Sequence, residues 1–429
     1  MGKSWSQRSI KADATAHSSQ SVSYVLAPFL SFPILVHGSA KVATAWYAGW
    51  HADADPSFSL AQVSWDKYTQ MTYAFAETTS DVRVVNLNGS DPELLPNFVA
   101  AAHAHGTKAS VSVGGWTGSL FWSSNVATAQ NRTLFVKTLV DLATKYDLDG
   151  IDFDWEYPAE SGIGCNANNP NDAANFLAFI QELRADPVGA HLTLSAAVAT
   201  VPFTDSQGNP SADVSGFSQV LDYVAIMVYD IAGPWSAAVG PNAPLDDSCA
   251  PADFQAGSAV AAVNSWTAAG IPSDQIVLGV ASYGHSFRVA KSNAFVRGSH
   301  TQLALYAQFN TSNPPVGDAW DDAAGVDECG NFEDQGGVID FWGLIAQGYL
   351  NADGTNKTGV PYLFDTCSQT PFVYNTTTEV MISFDNAKSF AAKGDYIKAN
   401  GLAGFAMWEA GGDSQDILLD SVRKSAGFL

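Results

Sequence analysis

Asp149-Gly150-Ile151-Asp152-Phe153-Asp154-Trp155-Glu156-Tyr157-Pro158 is the stretch that decides the reading of this chain. Asp152, Asp154 and Glu156 stand at alternate positions, with Phe153 and Trp155 between them. Successive side chains of a strand point to opposite faces, so the three acids share one face, roughly 7 Å apart in succession. A buried parallel strand normally reads as continuous Val, Ile and Leu. In an antiparallel sheet the alternation would mean an amphipathic strand with its acids in water. Inside a barrel sequence that reading fails, because a buried unpaired carboxylate is costly. Such a strand points its acids inward and carries Glu156 to the C-terminal mouth, where barrel enzymes do their chemistry. Three acids so close cannot all ionise freely, so at least one holds a proton near neutral pH. The outermost is the natural general acid.

The flanking sequence supplies the barrel. Short β-rich runs occur at Val42–Tyr47, Met71–Ala76, Ala109–Val113, Gly150–Trp155, Leu192–Ala197, Tyr223–Val228, Ile276–Val280 and Leu402–Met407. Helical patterns lie between them, among them Pro92–His105, Ala127–Tyr146, Asn171–Ala185, Asp253–Ala269 and Asp385–Asn400. The last has Asp385 as its expected N-cap and Asn400-Gly401 as its stop. Strands alternating with helices imply a parallel sheet covered by helices, and eight units imply a closed (β/α)8 TIM barrel. The rhythm breaks between strand 7 and helix 7. A structureless loop of that length is improbable, so an inserted α+β lobe is expected there. The expected division is barrel over 41–287 and 379–429, lobe over 288–378, and a leader over 1–40.

Composition narrows the function. The 429 residues are 46% hydrophobic and 12% aromatic, which excludes a disordered chain. With 20 Lys and Arg against 43 Asp and Glu, the net charge is −23. Nucleic acid and an acidic membrane surface are therefore poor partners. Val22–Val36 is almost wholly apolar, follows Lys3, Arg8 and Lys11, and precedes Gly38-Ser39-Ala40. That order reads as a secretory signal peptide. Asn-x-Ser/Thr sequons at Asn88, Asn131, Asn310, Asn356 and Asn375 fit a secreted glycoprotein. The four cysteines lack CxxC spacing, so disulfides are expected rather than zinc. Three pairings are open. Cys165–Cys249 and Cys329–Cys367 are favoured, because each pair falls within one region of the expected architecture.

The stretch 149–158 resembles the catalytic signature of glycoside hydrolase family 18 chitinases, and the likeness extends over most of residues 42–425. Ser112-Val113-Gly114-Gly115-Trp116 resembles the family's third-strand motif. Met227-Val228-Tyr229-Asp230 resembles the sixth-strand motif, and Trp408 the sugar-stacking tryptophan after strand 8. Ser282-Tyr283-Gly284-His285 places His285 where many relatives carry Arg. The layout is most similar to secreted fungal members.

The resemblance implies retaining hydrolysis without an enzyme nucleophile. Glu156 would protonate the glycosidic oxygen, and the substrate's own acetamido oxygen would attack the anomeric carbon. Asp154 would orient the acetamido N–H and Asp152 would share a proton with Asp154. Tyr229 would bond the acetamido oxygen and Asp230 would grip the distorted sugar. Asp149 and Ser112 would support the strand. An uncharged polymer is held by CH faces on aromatic rings and by hydroxyl hydrogen bonds. Trp408 is the expected floor, lined by Tyr47, Phe75, Trp116, Tyr157, Met227 and Tyr283, with Trp235 and Trp320 further out. The expected activity is chitin hydrolysis by a secreted monomer needing neither cofactor nor metal. A chitin-binding lectin with little turnover and an endo-β-N-acetylglucosaminidase on N-glycans are the alternatives.

Overall fold

The structure, a computed structural model, describes residues 41–428. The expected leader lies outside the described residues. Eight parallel strands follow one another: β1 Val42–Ala48, β2 Gln70–Thr78, β3 Lys108–Gly114, β4 Gly150–Asp154, β5 Thr193–Val198, β6 Tyr223–Ile226, β7 Ile276–Ala281 and β8 Gly404–Trp408. Each pairs with its neighbour in order, and β1 pairs with both β8 and β2, so the ring is closed. This is the expected TIM barrel with an insertion after strand 7.

Two apolar layers follow from the period of two along the strands. Outward-facing Val111, Val113, Ile151, Phe153, Leu194 and Ala196 join the helices in one large core. Helix 129–146 contributes Phe135 and Leu139 to it, and helix 172–185 contributes Phe176, Phe179 and Ile180. Burying one such side chain is worth about 1.5–3 kcal/mol. Inward-facing Trp46, Ala74, Ala197, Tyr223, Ala225, Val277 and Ala406 form a second, smaller cluster inside the barrel. Among the described residues no helix is long and apolar enough to cross a membrane.

The insertion folds as a five-stranded antiparallel sheet, in the order 338–340, 283–288, 380–383, 370–375, 362–365. It has its own core around Phe287, Val289, Leu303, Phe372, Tyr374 and Met381. The sheet begins at Tyr283, with only a bend at Ser282 separating it from β7.

Two expectations are corrected here. The disulfides are Cys165–Cys329 and Cys249–Cys367, not Cys165–Cys249 and Cys329–Cys367. Each ties a barrel loop to the lobe, so the bridges join the two regions instead of stapling each one. The N-cap of helix 387–399 is Asn386, whose side chain accepts from the backbone of Lys388 and Ser389. Asp385 lies buried instead, with both carboxylate oxygens 2.7 Å from Nζ of Lys393.

Candidate active site

β4 carries the acids inward in sequence. Asp152 is buried, and its Oδ2 accepts from Trp46 Nε1 at 3.0 Å and Ser112 Oγ at 2.8 Å. Its Oδ1 accepts from Ser195 Oγ at 2.6 Å. Burial raises its pKa, opposed by these three hydrogen bonds. Asp152 thus turns both its oxygens to donors. Asp154 is buried with Oδ1 unpartnered. Burial, then the charges of Glu156 and Asp152, hold its carboxyl well above the usual range. Glu156, partly buried, is pushed up to about 7 by burial, with a hydrogen bond from Tyr157 working against the shift and Asp230 adding to it.

The backbone under Glu156 is fixed from two loops. Ser119 Oγ accepts from Glu156 N at 3.1 Å and donates to Asp154 O at 3.0 Å. Asn166 Nδ2 donates to Glu156 O at 2.9 Å. Gly114 and Gly115 make the approach possible, with φ of 116° and 84°. A Cβ on Gly114 would lie 2.0 Å from Asp154 O, which no larger residue tolerates.

After β6 the chain places Tyr229 and Asp230 beside these acids. Tyr229 is buried, and after burial the charges of Asp154, Asp230 and Glu156 raise its pKa further. Asp230 adopts φ 58°, held by a bond from its N–H to Asn242 Oδ1 at 3.0 Å. Its Oδ1 accepts from Tyr283 Oη at 2.7 Å and lies 2.7 Å from His285 Nε2. The chain thus sets His285 against the aspartate.

Aromatics cover the mouth around Trp408. Phe75 stacks at 5.5 Å from it, and Trp46 meets it edge-on at 5.9 Å. Met227 and Trp408 both pack against the cluster of Tyr229, Ala243, Ala281 and Tyr283. Trp116 and Trp235 are 45% and 63% exposed on the loops after β3 and β6. Tyr157 is partly buried next to Glu156. Trp320, from the lobe, stacks on His51 with ring centroids 3.8 Å apart.

Tyr47 is a correction. It is 0% exposed, packed among Phe58, Tyr73 and Phe98 with its Oη on Phe58 O, so it does not line the mouth. Trp46 faces the interior, and the alternation turns Tyr47 outward to the helices. Asp149 lies at the other end of β4, accepting from Ala109 N and facing His103 Nε2, each at 2.8 Å.

The sequence reading missed Trp50, His51, Ser119, Asn166, Asn242 and Glu409. Trp50, 41% exposed and stacked on Phe75 at 6.1 Å, was findable as an aromatic just beyond β1. Ser119, Asn166 and Asn242 carry no pattern; only tertiary contact gives them their roles.

The arrangement offers an acid with a raised pKa at a barrel mouth, a second acid behind it, and a phenol and carboxylate beside it. Among the described residues no group of three or more His, Cys, Asp or Glu is placed to hold a metal. A family model described as "Glycosyl hydrolases family 18" matches residues 43–413. A "chitinase-like effector" of Moniliophthora roreri is 53% identical over 399 residues, covering 93% of this chain and 96% of that protein. Another of the same description, from Moniliophthora perniciosa, is 54% identical over 391 residues, covering 91% and 88%. The crystal structure of chitinase RmChi1 from Rhizomucor miehei aligns with a TM-score of 0.80 and 33% identity, over 90% of this chain and 100% of that one.

Proposed function

The chain belongs to glycosyl hydrolase family 18, and from that premise we propose that it hydrolyses β-1,4-N-acetylglucosamine linkages in chitin and its oligomers. The observation that carries this reading is Glu156 at the mouth, its carboxyl pushed up to about 7 above an intact row of acids. A general acid needs its proton at the working pH and a position beside the leaving oxygen. In this proposal Glu156 gives that proton to the leaving oxygen as the glycosidic bond breaks and the substrate's acetamido oxygen closes on the anomeric carbon; water then opens the resulting oxazolinium ion and returns a proton to Glu156. Asp154 receives the acetamido N–H on its unpartnered oxygen and offsets the developing positive charge. Tyr229 fixes the acetamido oxygen, which raises its effective concentration at the reacting carbon. Asp152 and Ser112 hold the strand behind Asp154. Trp408, with Phe75 and Met227 around it, carries the sugar face, and Asp230 takes its hydroxyls.

We also propose that the protein works outside the cell as a monomer. Two disulfides joining barrel to lobe support an oxidising compartment.

A second reading, chitin binding with little turnover, is favoured by the descriptions of the two Moniliophthora relatives as chitinase-like effectors. A product time course on chitin hexamer separates the two. Shorter oligomers from the parent protein and none from Glu156→Gln support hydrolysis. Intact hexamer after saturable binding supports the second reading.

A further inference from the structure

Asn242 is 0% exposed, and each of its polar groups is taken. Oδ1 accepts from Asp230 N at 3.0 Å, and Nδ2 donates to Tyr283 O at 3.1 Å. The backbone N donates to Ser383 Oγ at 2.8 Å, and the backbone O accepts from Ile231 N at 3.0 Å. These partners leave the amide a single orientation, because a backbone N–H only donates and a carbonyl only accepts. Tyr283 closes the circuit, its Oη donating to Asp230 Oδ1 at 2.7 Å. One buried amide therefore holds Asp230 by its backbone, and holds the residue whose phenol binds the same aspartate by its carboxylate.

The loop that carries Asn242 is seated on the lobe. Val239 N donates to Ala307 O and Leu245 N to Ser368 O, each at 2.9 Å. Cys249 is bonded to Cys367. Tyr283 and Ser383 are themselves residues of the lobe sheet. Asp230 follows β6 of the barrel, and at φ 58° it occupies a region where a residue with a Cβ stays only when its surroundings hold it. Its side chain is 48% exposed, so the clamp leaves carboxylate surface open to a ligand. Truncating Asn242 removes the acceptor for Asp230 N and the donor to Tyr283 O together. The aspartate's backbone is then free to leave its φ, and its phenol partner is loosened.

We propose that Asn242 is a positioning residue for the reaction, which fixes the Asp230 carboxylate against the sugar by tying the chain after β6 to the lobe sheet. Asn242 touches no substrate itself and acts through Asp230. The inference rests on the functional reading above, in which Asp230 takes the sugar's hydroxyls.

The test is calorimetric binding of chitin hexamer to the Glu156→Gln protein, which excludes turnover, with Asn242→Ala added alone and together with Asp230→Ala. Asn242→Ala is expected to weaken hexamer binding about tenfold, the equivalent of one hydrogen bond. Added to Asp230→Ala, it is expected to change affinity by less than about twofold, because the carboxylate it positions is gone. A role in the fold alone would cost the same in both backgrounds. Ser383→Ala keeps the amide and removes only the acceptor of Asn242 N, so it decides the question where Asn242→Ala does not fold. It is expected to weaken binding about threefold, and again not in the Asp230→Ala background. With Glu156 intact, kcat/KM on hexamer is expected to fall about tenfold in Asn242→Ala at a temperature where it stays folded. Unchanged affinity or kcat/KM, or equal losses with and without the Asp230 carboxylate, overturns the positioning role alone. Failure of the Glu156→Gln protein to bind hexamer, or parent-like binding by Asp230→Ala, overturns the functional reading of the site and the inference with it.

Discussion

Glu409 Oε1 lies 2.7 Å from His51 Nδ1, and both side chains are largely buried between β8 and the loop after β1. The other carboxylate oxygen accepts from Ala48 N at 3.1 Å. Glu409 follows Trp408 directly, so the pair fixes the backbone under the sugar-bearing ring, and Trp320 closes over His51. Removing Glu409 leaves the His51 ring nitrogen and the Ala48 N–H without their buried acceptor, and each buried polar group left unsatisfied costs about 1–3 kcal/mol. We expect Glu409→Ala to lower unfolding free energy by at least about 2 kcal/mol and to raise KM for chitin oligomers more than it lowers kcat. Urea unfolding and steady-state kinetics check this. Parent-like stability would show that the pair holds nothing in place.

The pH dependence follows from Glu156. Its carboxyl is raised to about 7, so it keeps its proton below that pH and loses it above. Hydrolysis therefore falls as pH rises through about 7. The Tyr157 hydrogen bond opposes the shift, so Tyr157→Phe moves the alkaline limb of kcat/KM to higher pH. A limb that stays put or moves down contradicts this account.

The same shift has a stability side. Over roughly pH 4.5 to 7 the native state holds a proton at Glu156 that the unfolded chain has released. Stability contributed at this site is present at acid pH and is lost as pH rises through that window. Glu156→Gln removes the ionisation, so it is expected to gain about 1–3 kcal/mol over the parent at pH 8 and nothing comparable at pH 4. Urea midpoints of both proteins at the two pH values decide it.

Much of this was legible in the residues, for an identifiable reason. The eight strands show as apolar runs because the barrel buries both faces of each strand, and the acids of β4 stand out against that background. The path of the inserted lobe was not legible. Cys329 meets Cys165, and Cys367 meets Cys249, because the lobe folds back over loops far away in sequence. Tyr47 was misplaced by one residue of register: at a strand end, only the pairing of Trp46 with Asp152 tells which face looks inward. The bonds that Asp230 makes with Asn242, Tyr283 and His285 depend on an aspartate at φ 58°, which the sequence does not announce.

The buried pair of Lys393 and Asp385 separates stability from chemistry. Both side chains are 1% exposed and far in sequence from the acids of β4, and burial lowers the lysine's pKa despite its partner. Breaking such a pair strands a charge, whereas replacing both members by apolar groups of similar volume is often neutral or stabilising. Lys393→Met alone is therefore expected to cost about 3–5 kcal/mol, with kcat per folded molecule unchanged at temperatures where the variant remains folded. The double change Lys393→Met with Asp385→Leu is expected to recover most of that loss. Unfolding curves of the two variants read the outcome. A double variant no more stable than the single one would mean that Asp385 also serves helix 387–399 as more than the partner of Lys393.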